Sequence, residues 1–207
     1  MAQFLPNFAQ FDNGAGFSFF VQGDFNGDGK TDIIGIRVGE LVVLPGNGTG
    51  GFGAPLNTTI TGLNNVQLNQ FIVGDFNNDG RLDVALFGTD ALTGTSVVAS
   101  LLGKGNGTFD APRETVALGV IPPYFPNSVT AIGGDFNGDA KLDIAYVTGS
   151  QICVLLGNGD GTFSSAVTTA SNGLTLAAGD FNHDGKLDLA IVTGQRHRGC
   201  SRLCAPG

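Results

Sequence analysis

The chain of 207 residues is short of residue types on which several classes of protein depend. It has no tryptophan, one methionine, two histidines and three cysteines. With so few histidines, the chain offers few residues from which a Ser-His-Asp or Cys-His catalytic arrangement could be built. The absence of tryptophan counts against a sugar-binding surface of large aromatic rings. The cysteines offer one candidate disulfide, Cys200 to Cys204, in a loop so short that such bonds are often strained.

Long apolar runs and basic segments are also missing. No run of about eighteen apolar residues occurs, so no membrane span is predicted. The first residues lack the basic and apolar regions of a secretory signal, so no signal peptide is predicted. Only ten residues are basic against eighteen acidic, and three of the ten lie in the last dozen positions. A nucleic-acid partner is therefore not expected.

The abundant residue types predict strands and turns. The chain has 34 glycines and 16 phenylalanines but only two glutamates, so it is poor in helix formers and rich in turn residues. We expect an all-β protein without helices.

A nine-residue pattern, Asp-x-Asn-x-Asp-(Gly/Ala)-x-x-Asp, occurs four times, beginning at Asp24, Asp75, Asp135 and Asp180. These loops hold twelve of the sixteen aspartates, so the net charge of −8 is concentrated in them. An apolar stretch precedes each loop and an apolar strand follows it. The spacings of 51, 60 and 45 residues predict stacked units and fit a propeller blade of four strands.

The pattern predicts a calcium site in each loop. Ca²⁺ prefers hard oxygen ligands, and alternate positions of a tight loop supply them: side chains at positions one, three, five and nine, and the backbone carbonyl at position seven. Four bound Ca²⁺ would balance the net charge of −8. Because Ala140 replaces glycine at position six, we expect the third site to be the weakest. The predicted ligands are Asp24, Asn26, Asp28, Lys30 and Asp32; Asp75, Asn77, Asp79, Arg81 and Asp83; Asp135, Asn137, Asp139, Lys141 and Asp143; and Asp180, Asn182, Asp184, Lys186 and Asp188.

The loops are not EF-hands, whose twelfth position is a glutamate. That position is held here by Gly35, Leu86, Tyr146 and Ile191. The alternative interpretation is four Asx-rich turns without metal. Five oxygen donors in register in every copy favour metal, because a turn needs only one or two. Extracellular modules bind calcium at about 10⁻⁴ to 10⁻³ M, so we expect an extracellular or cell-surface location.

Aligned on the loops, the chain divides into three complete repeats and an incomplete fourth. In a complete repeat a third strand leads into a Gly/Asn turn, and a fourth strand is predicted to begin at the phenylalanine after it. Segment 1–15 is predicted to close the incomplete repeat, with a partner chain as the alternative. Segment 193–207 is an atypical basic tail, either disordered or an electrostatic arm onto another copy. The repeats are 16–61, 66–118, 128–170 and, in part, 174–192.

The sequence Gly-Asp-Phe-Asn-Gly-Asp-Gly-Lys-x-Asp before an aliphatic strand, with Leu-Leu-Gly-Asn-Gly-Asp-Gly-Thr-Phe after it, resembles the FG-GAP or VCBS repeat over roughly residues 16 to 192. Members of that family are β-propellers, including integrin α heads, some fungal lectins and parts of bacterial surface proteins and polysaccharide lyases. The resemblance implies a propeller of four-stranded blades. Since family propellers commonly have more blades, the chain either closes as a small ring, shares a ring with a second chain, or is a piece of a longer protein.

The sequence is compatible with three functions. The leading one is a calcium-stabilised, non-catalytic extracellular module for adhesion to a glycan or protein. An insertion between the second and third repeats holds Tyr124 and Phe125, which either stack on a sugar ring or pack as a connector. The second is a structural protein that forms a closed dimer or a fibre through the edges of the incomplete repeat. The third, an enzyme such as a polysaccharide lyase, has as candidate bases only Tyr124, Tyr146, the histidines and a few Lys or Arg residues.

Overall fold

The structure is a computed structural model that describes residues 20–37, 39–63, 65–120, 131–148, 151–164, 167–170 and 173–193. These residues form fourteen strands and no helix, which confirms the all-β prediction. No helix in this part of the chain is long and apolar enough to cross a membrane. The closing strand expected within 1–15, the pair Tyr124 and Phe125, the Cys200–Cys204 pair and the tail beyond Thr193 lie outside the described residues.

The strands form three four-stranded sheets and one two-stranded sheet, all antiparallel, and neighbours in each sheet are consecutive in the chain. We call the sheets repeats 1 to 4. The strands are β1 (Phe20–Gly23), β2 (Asp32–Arg37), β3 (Glu40–Leu44) and β4 (Leu56–Thr59); β5 (Val66–Gly74), β6 (Asp83–Asp90), β7 (Thr95–Leu101) and β8 (Arg113–Val120); β9 (Ala131–Gly134), β10 (Asp143–Thr148), β11 (Gln151–Leu155) and β12 (Val167–Ala170); and β13 (Gly173–Gly179) and β14 (Asp188–Thr193).

Every Asp loop joins the first strand of its repeat to the second, as the sequence predicts. The register is the same in all four copies, because the glycine before the loop pairs with the aspartate that ends it. The loop is therefore the connection of a tightly registered hairpin. The pairs are Gly23 with Asp32, Gly74 with Asp83, Gly134 with Asp143, and Gly179 with Asp188.

The fourth strand begins later than predicted. The phenylalanine after each Gly/Asn turn forms only an isolated bridge to the glycine that opens the turn, and the fourth strand begins four residues further on. The turn closes on its own backbone hydrogen bonds, as from Lys104 N to Thr108 O (2.9 Å), so the phenylalanine ends a loop instead of starting a strand. The bridges are Gly46–Phe52, Gly103–Phe109 and Gly157–Phe163.

The hydrophobic core lies between the sheets. Because side chains alternate along a strand, the second strands of repeats 2 and 3 each pack against both neighbouring repeats. In β6, Val84 and Leu86 pack against repeat 1, whereas Ala85 and Phe87 pack against repeat 3. We call the face of a repeat that packs on the following repeat its forward face, and the face that packs on the preceding repeat its backward face.

Repeats 2, 3 and 4 also contact each other through their first strands. Strand β5 contacts β9, and β13 contacts both β9 and β10. The sheets are thus stacked face to face, and repeats 2, 3 and 4 have their first strands on a common side.

Candidate metal centres

Each Asp loop turns through two residues in the left-handed backbone region, at positions four and six. Position four has φ of 75°, 58°, 79° and 62° in Gly27, Asn78, Gly138 and His183. Position six is Gly29, Gly80 and Gly185 in three loops, and Ala140 with φ of 63° in the third. A residue with a Cβ is disfavoured there by roughly 1–2 kcal/mol. The third loop therefore keeps the same path at a cost in strain.

The first aspartate of each loop holds the turn together. In loop 1, Asp24 Oδ1 accepts hydrogen bonds from the backbone N–H groups of Gly27 (2.8 Å) and Asp28 (3.2 Å). Its Oδ2 accepts from Gly29 N (2.8 Å), and Asn26 Oδ1 accepts from Asp28 N (2.9 Å). The bonds from positions five and six to the first carboxylate recur at Asp75, Asp135 and Asp180. These hydrogen bonds hold the side chains of positions one and three against the backbone of the loop.

The basic residue at position seven contacts the carboxylate at position five. Lys30 Nζ lies 3.1 Å from Asp28 Oδ2, and Lys141 Nζ lies 3.6 Å from Asp139 Oδ2. The backbone N–H of Lys30, and next its ammonium group, hold the pKa of Asp28 below its ordinary value. Hydrogen bonds from the loop backbone, first from Ala140 N–H, likewise lower the pKa of Asp135. Both carboxylates are therefore held in the ionised form that a cation needs.

The aspartate at position nine differs in burial and in its contacts from the other four predicted ligand positions. In the complete repeats its aspartate is buried, and each carboxylate oxygen accepts one backbone N–H. Asp83 Oδ2 accepts from Phe76 N (2.9 Å) in its own loop, and Asp83 Oδ1 accepts from Gly103 N (2.7 Å) in the Gly/Asn turn. We call this residue the loop–turn carboxylate; its counterparts are Asp32, with Phe25 and Gly46, and Asp143, with Phe136 and Gly157.

Repeat 4 has only part of this arrangement. Asp188 accepts a hydrogen bond from Phe181 N at 3.1 Å, and it is partly exposed. Sequence reasoning missed the loop–turn role altogether. The signal for it is the glycine two residues after each third strand, which the sequence repeats at Gly46, Gly103 and Gly157.

The donor chemistry of the loops fits a hard cation. Within the described ranges, no three Asp, Glu, His or Cys side chains converge closely enough to hold a metal by themselves. The predicted sets are mixed, since each adds an asparagine amide and a backbone carbonyl to its carboxylates. A carboxylate has about four lone-pair positions, so Asp83 can accept two N–H groups and still offer oxygen to an ion. Oxygen donors of this kind suit Ca²⁺.

A pH dependence follows from Asp83. Burial raises its pKa to about 6, against the N–H groups of Gly103 and Phe76 that favour the ionised form, and the charges of Asp79 and Asp75 raise it further. Because the folded-state pKa lies above the ordinary 3.8, this contribution to stability is complete below pH 3.8 and is lost as the pH rises through about 6. We expect the metal-free protein to be about 1 kcal/mol more stable at pH 5 than at pH 7.

Urea unfolding at the two pH values in metal-free buffer measures the difference. Asp83→Asn is the control, and its free energy of unfolding should vary less between pH 5 and pH 7 because the titrating group is gone. A wild-type protein that loses stability on acidification across this interval would contradict the assignment.

Tyr146 is unsuited to act as a base. Its side chain is buried, its ring centroid lies 6.0 Å from that of Phe87, and burial raises its pKa. The residue packs between repeats 2 and 3 and belongs to the core.

A known protein family matches the segments of the chain that contain the Asp loops. The model of the FG-GAP-like repeat matches residues 24–86 and 135–191, which contain the first and second loops and the third and fourth loops. The chain belongs to the FG-GAP-like repeat family. The resemblance inferred from the Asp loops is thereby confirmed.

Comparisons with individual proteins are weaker. No curated protein matches the chain. Among solved structures, the chain is similar to an Agrocybe aegerita lectin described as recognising non-reducing terminal N-acetylglucosamine, with 17% identity and a TM-score of 0.36. The match covers 83% of this chain and 60% of the lectin chain. The chain therefore spans about 60% of the length of that structure.

Proposed function

We propose that this FG-GAP-repeat protein is a calcium-stabilised β-propeller module that binds a glycan or a protein outside the cell and catalyses no reaction. One observation carries the proposal. Carboxylate and amide oxygens occupy the same positions of four loops whose backbones follow the same path. Turn formation alone does not require that repetition of acidic residues.

The propeller arrangement is supported by the way the sheets stack. Each complete repeat is a four-stranded antiparallel sheet with consecutive strands, which is the form of a propeller blade. The first strands of repeats 2, 3 and 4 contact one another, as the strands nearest the axis of a propeller do. A cluster of buried apolar residues lies between each pair of successive sheets from repeat 1 to repeat 4.

In this proposal calcium stabilises the fold. In loop 1 the ligands are Asp24, Asn26, Asp28 and Asp32 with the carbonyl of Lys30, and the corresponding positions serve the other loops. A bound cation neutralises carboxylates that otherwise repel one another, and it fixes the connection between the first two strands. Loop 3 binds most weakly, because Ala140 must hold the left-handed conformation that glycine adopts freely.

The location and the absence of catalysis belong to the same proposal. Modules that bind calcium at about 10⁻⁴ to 10⁻³ M fill their sites only where calcium is millimolar, as it is outside cells. The ligand site is proposed in the connection between β8 and β9, which carries Tyr124 and Phe125. Aromatic side chains in an insertion between two repeats are suited to stacking on a sugar ring or a peptide side chain.

A binding screen tests the function. With calcium present, the full chain should bind members of a glycan array or an extracellular protein panel, and Tyr124→Ala with Phe125→Ala should weaken that binding by about tenfold. Leu92→Ala, at an exposed position in the turn between β6 and β7, is the matched control and should bind as the wild type does.

Two results would overturn the proposal. Calcium-loaded protein that binds nothing on either panel is not a module of this kind. Depolymerisation of an acidic polysaccharide by the wild-type chain, measured by the unsaturated product of lyase cleavage, would make the protein an enzyme.

A further inference from the structure

The same tetrapeptide, Gly-Asn-Gly-Thr, stands in the Gly/Asn turns of repeats 1 and 2, at residues 46–49 and 105–108. An Asn-Gly pair can react with itself, because the glycine nitrogen reaches the asparagine Cγ through a five-membered ring and glycine has no side chain to hinder the approach. The reaction needs a glycine N–H that is free and a side-chain carbonyl that is polarised. The two turns meet these conditions to different extents.

The side-chain carbonyl is polarised in both turns. Asn47 Oδ1 accepts hydrogen bonds from Thr49 N (2.8 Å), Thr49 Oγ1 (2.8 Å) and Gly51 N (3.0 Å). Asn106 Oδ1 accepts from Thr108 N (3.1 Å) and Thr108 Oγ1 (2.7 Å). Negative charge develops on this oxygen when a nucleophile adds to the carbonyl carbon, so the donors stabilise the intermediate as those of an oxyanion hole do.

The glycine nitrogen is free in only one of the two turns. Gly107 is buried where the turn of repeat 2 packs on the forward face of repeat 1, and its N–H donates to the carbonyl oxygen of Phe25 at 2.8 Å. Gly48 is exposed, and its N–H donates to no group among the described residues. The nitrogen of Gly48 is therefore open to water, whereas that of Gly107 must first leave Phe25.

The other Asn-Gly pairs within the described ranges each lack one of the two conditions. In loops 1 and 3 the first aspartate accepts the glycine N–H, at 2.8 Å from Gly27 and 2.7 Å from Gly138. In the turn of repeat 3, Asn158 donates through Nδ2 to the hydroxyl of Thr162 (2.9 Å), and its Oδ1 accepts no hydrogen bond from the described residues. A free nitrogen and a polarised carbonyl coincide only at Asn47 in this part of the chain.

We propose that Asn47 deamidates spontaneously in the folded protein and that Asn106 is protected from the same reaction. Gly48 N loses its proton to water or hydroxide and attacks Cγ of Asn47, and the new bond closes a succinimide ring. The Cγ–Nδ2 bond breaks, and Nδ2 takes up a proton from water and leaves as ammonia. Water then opens the ring at either carbonyl, which yields aspartate or isoaspartate. No ligand or metal takes part, so the inference does not depend on the proposed function.

The reaction changes the turn beside its contact with loop 1. The adjacent Gly46 N donates to the loop–turn carboxylate Asp32 at 2.8 Å. Isoaspartate carries the main chain through its side chain, which adds one carbon to the backbone next to Gly46 and removes the carbonyl that accepts the three hydrogen bonds. We therefore expect the isoaspartate form to melt at a lower temperature than fresh protein.

Peptide mapping by mass spectrometry compares the two asparagines within one sample. The full chain is incubated in calcium at physiological temperature and mildly alkaline pH, and the deamidated fraction at each site is followed over time. Asn47 should react about tenfold faster than Asn106, because Gly107 must give up a hydrogen bond before it can attack. The matched control is the same chain unfolded in guanidinium chloride, where the identical tetrapeptides should react at similar rates.

Thr49→Val tests the contribution of the hydroxyl. The variant removes one donor to Asn47 Oδ1 and leaves the Asn-Gly pair and the backbone donors in place. Deamidation of Asn47 should slow by about threefold to tenfold, and the rate at Asn106 should not change. Thr49 is exposed, and a melting curve confirms that the variant remains folded.

Three results would overturn the proposal. Equal rates at Asn47 and Asn106 in the folded protein would mean that the hydrogen bond of Gly107 gives no protection. An Asn47 that stays intact in the folded protein, over a period in which the unfolded chain deamidates, would mean that the turn of repeat 1 is itself protective. Faster reaction of Thr49→Val than of wild type would mean that the threonine restrains the asparagine side chain instead of activating it.

Discussion

Replacing Gly103 with alanine is expected to lower the free energy of unfolding by about 3 kcal/mol or more. A Cβ at this position would overlap the carbonyl oxygen of Leu82, which is backbone and cannot rotate away. Separating the two segments would also break the hydrogen bond from Gly103 N to Asp83 Oδ1. The buried carboxylate would then lack one of its donors, which adds to the loss.

Gly53→Ala is the control for this change. A Cβ at Gly53 would lie 3.7 Å from its nearest neighbour, the carbonyl oxygen of Pro45, which is an ordinary contact. Its effect should stay within about 0.5 kcal/mol. Urea unfolding in calcium, fitted with a common slope, measures both variants. Equal stability of Gly103→Ala and wild type would mean that the turn is not packed on the loop as described.

Removing calcium is expected to lower the melting temperature by more than about 10 °C. At 10 mM calcium, a site with a dissociation constant of about 10⁻⁴ to 10⁻³ M stabilises the folded state by about 1.4–2.7 kcal/mol. Four such sites stabilise it by about 6–11 kcal/mol in total. Melting curves with calcium and after chelation measure the difference.

Two controls separate a specific site from a general charge effect. Magnesium at the same concentration should restore little of the lost stability, because a cage of protein oxygens suits the larger ion. Asp79→Asn, in the exposed second loop, should remove about one quarter of the calcium-dependent stabilisation. A transition that chelation leaves unchanged would instead identify the loops as Asx turns without metal.

Local sequence was sufficient to predict the hairpins and the loops. The alternation of apolar residues around each Asp loop, repeated four times, indicated both strands and their connection, and the common register of Gly23 with Asp32 and its counterparts agrees with this. The fourth strands were placed too early, because Phe109 is apolar like a strand residue but closes a turn.

Features that depend on distant contacts could not be predicted. The partner of Asp83 lies twenty residues away at Gly103, and nothing in the loop itself indicates it. Likewise Phe20 and Phe71 are identical residues at equivalent positions, yet Phe71 is buried against repeat 1 whereas Phe20 is 71% exposed. The burial of such a position depends on the contacts of the folded chain, and the local sequence does not encode it.

The hydrogen bonds of the loop–turn carboxylates connect successive repeats, and they can be followed from repeat 3 to repeat 1. Asp143 is bonded to Gly157, whose turn donates from Gly161 to Phe76; Phe76 in turn donates to Asp83. From Asp83 the same sequence of bonds leads through Gly103 and Gly107 to Phe25, and from Phe25 to Asp32. The first three loops are thus joined in series, the third to the second and the second to the first. The Gly/Asn turns take part in these bonds through backbone N–H groups alone, so the side chains of the turns can vary without breaking them.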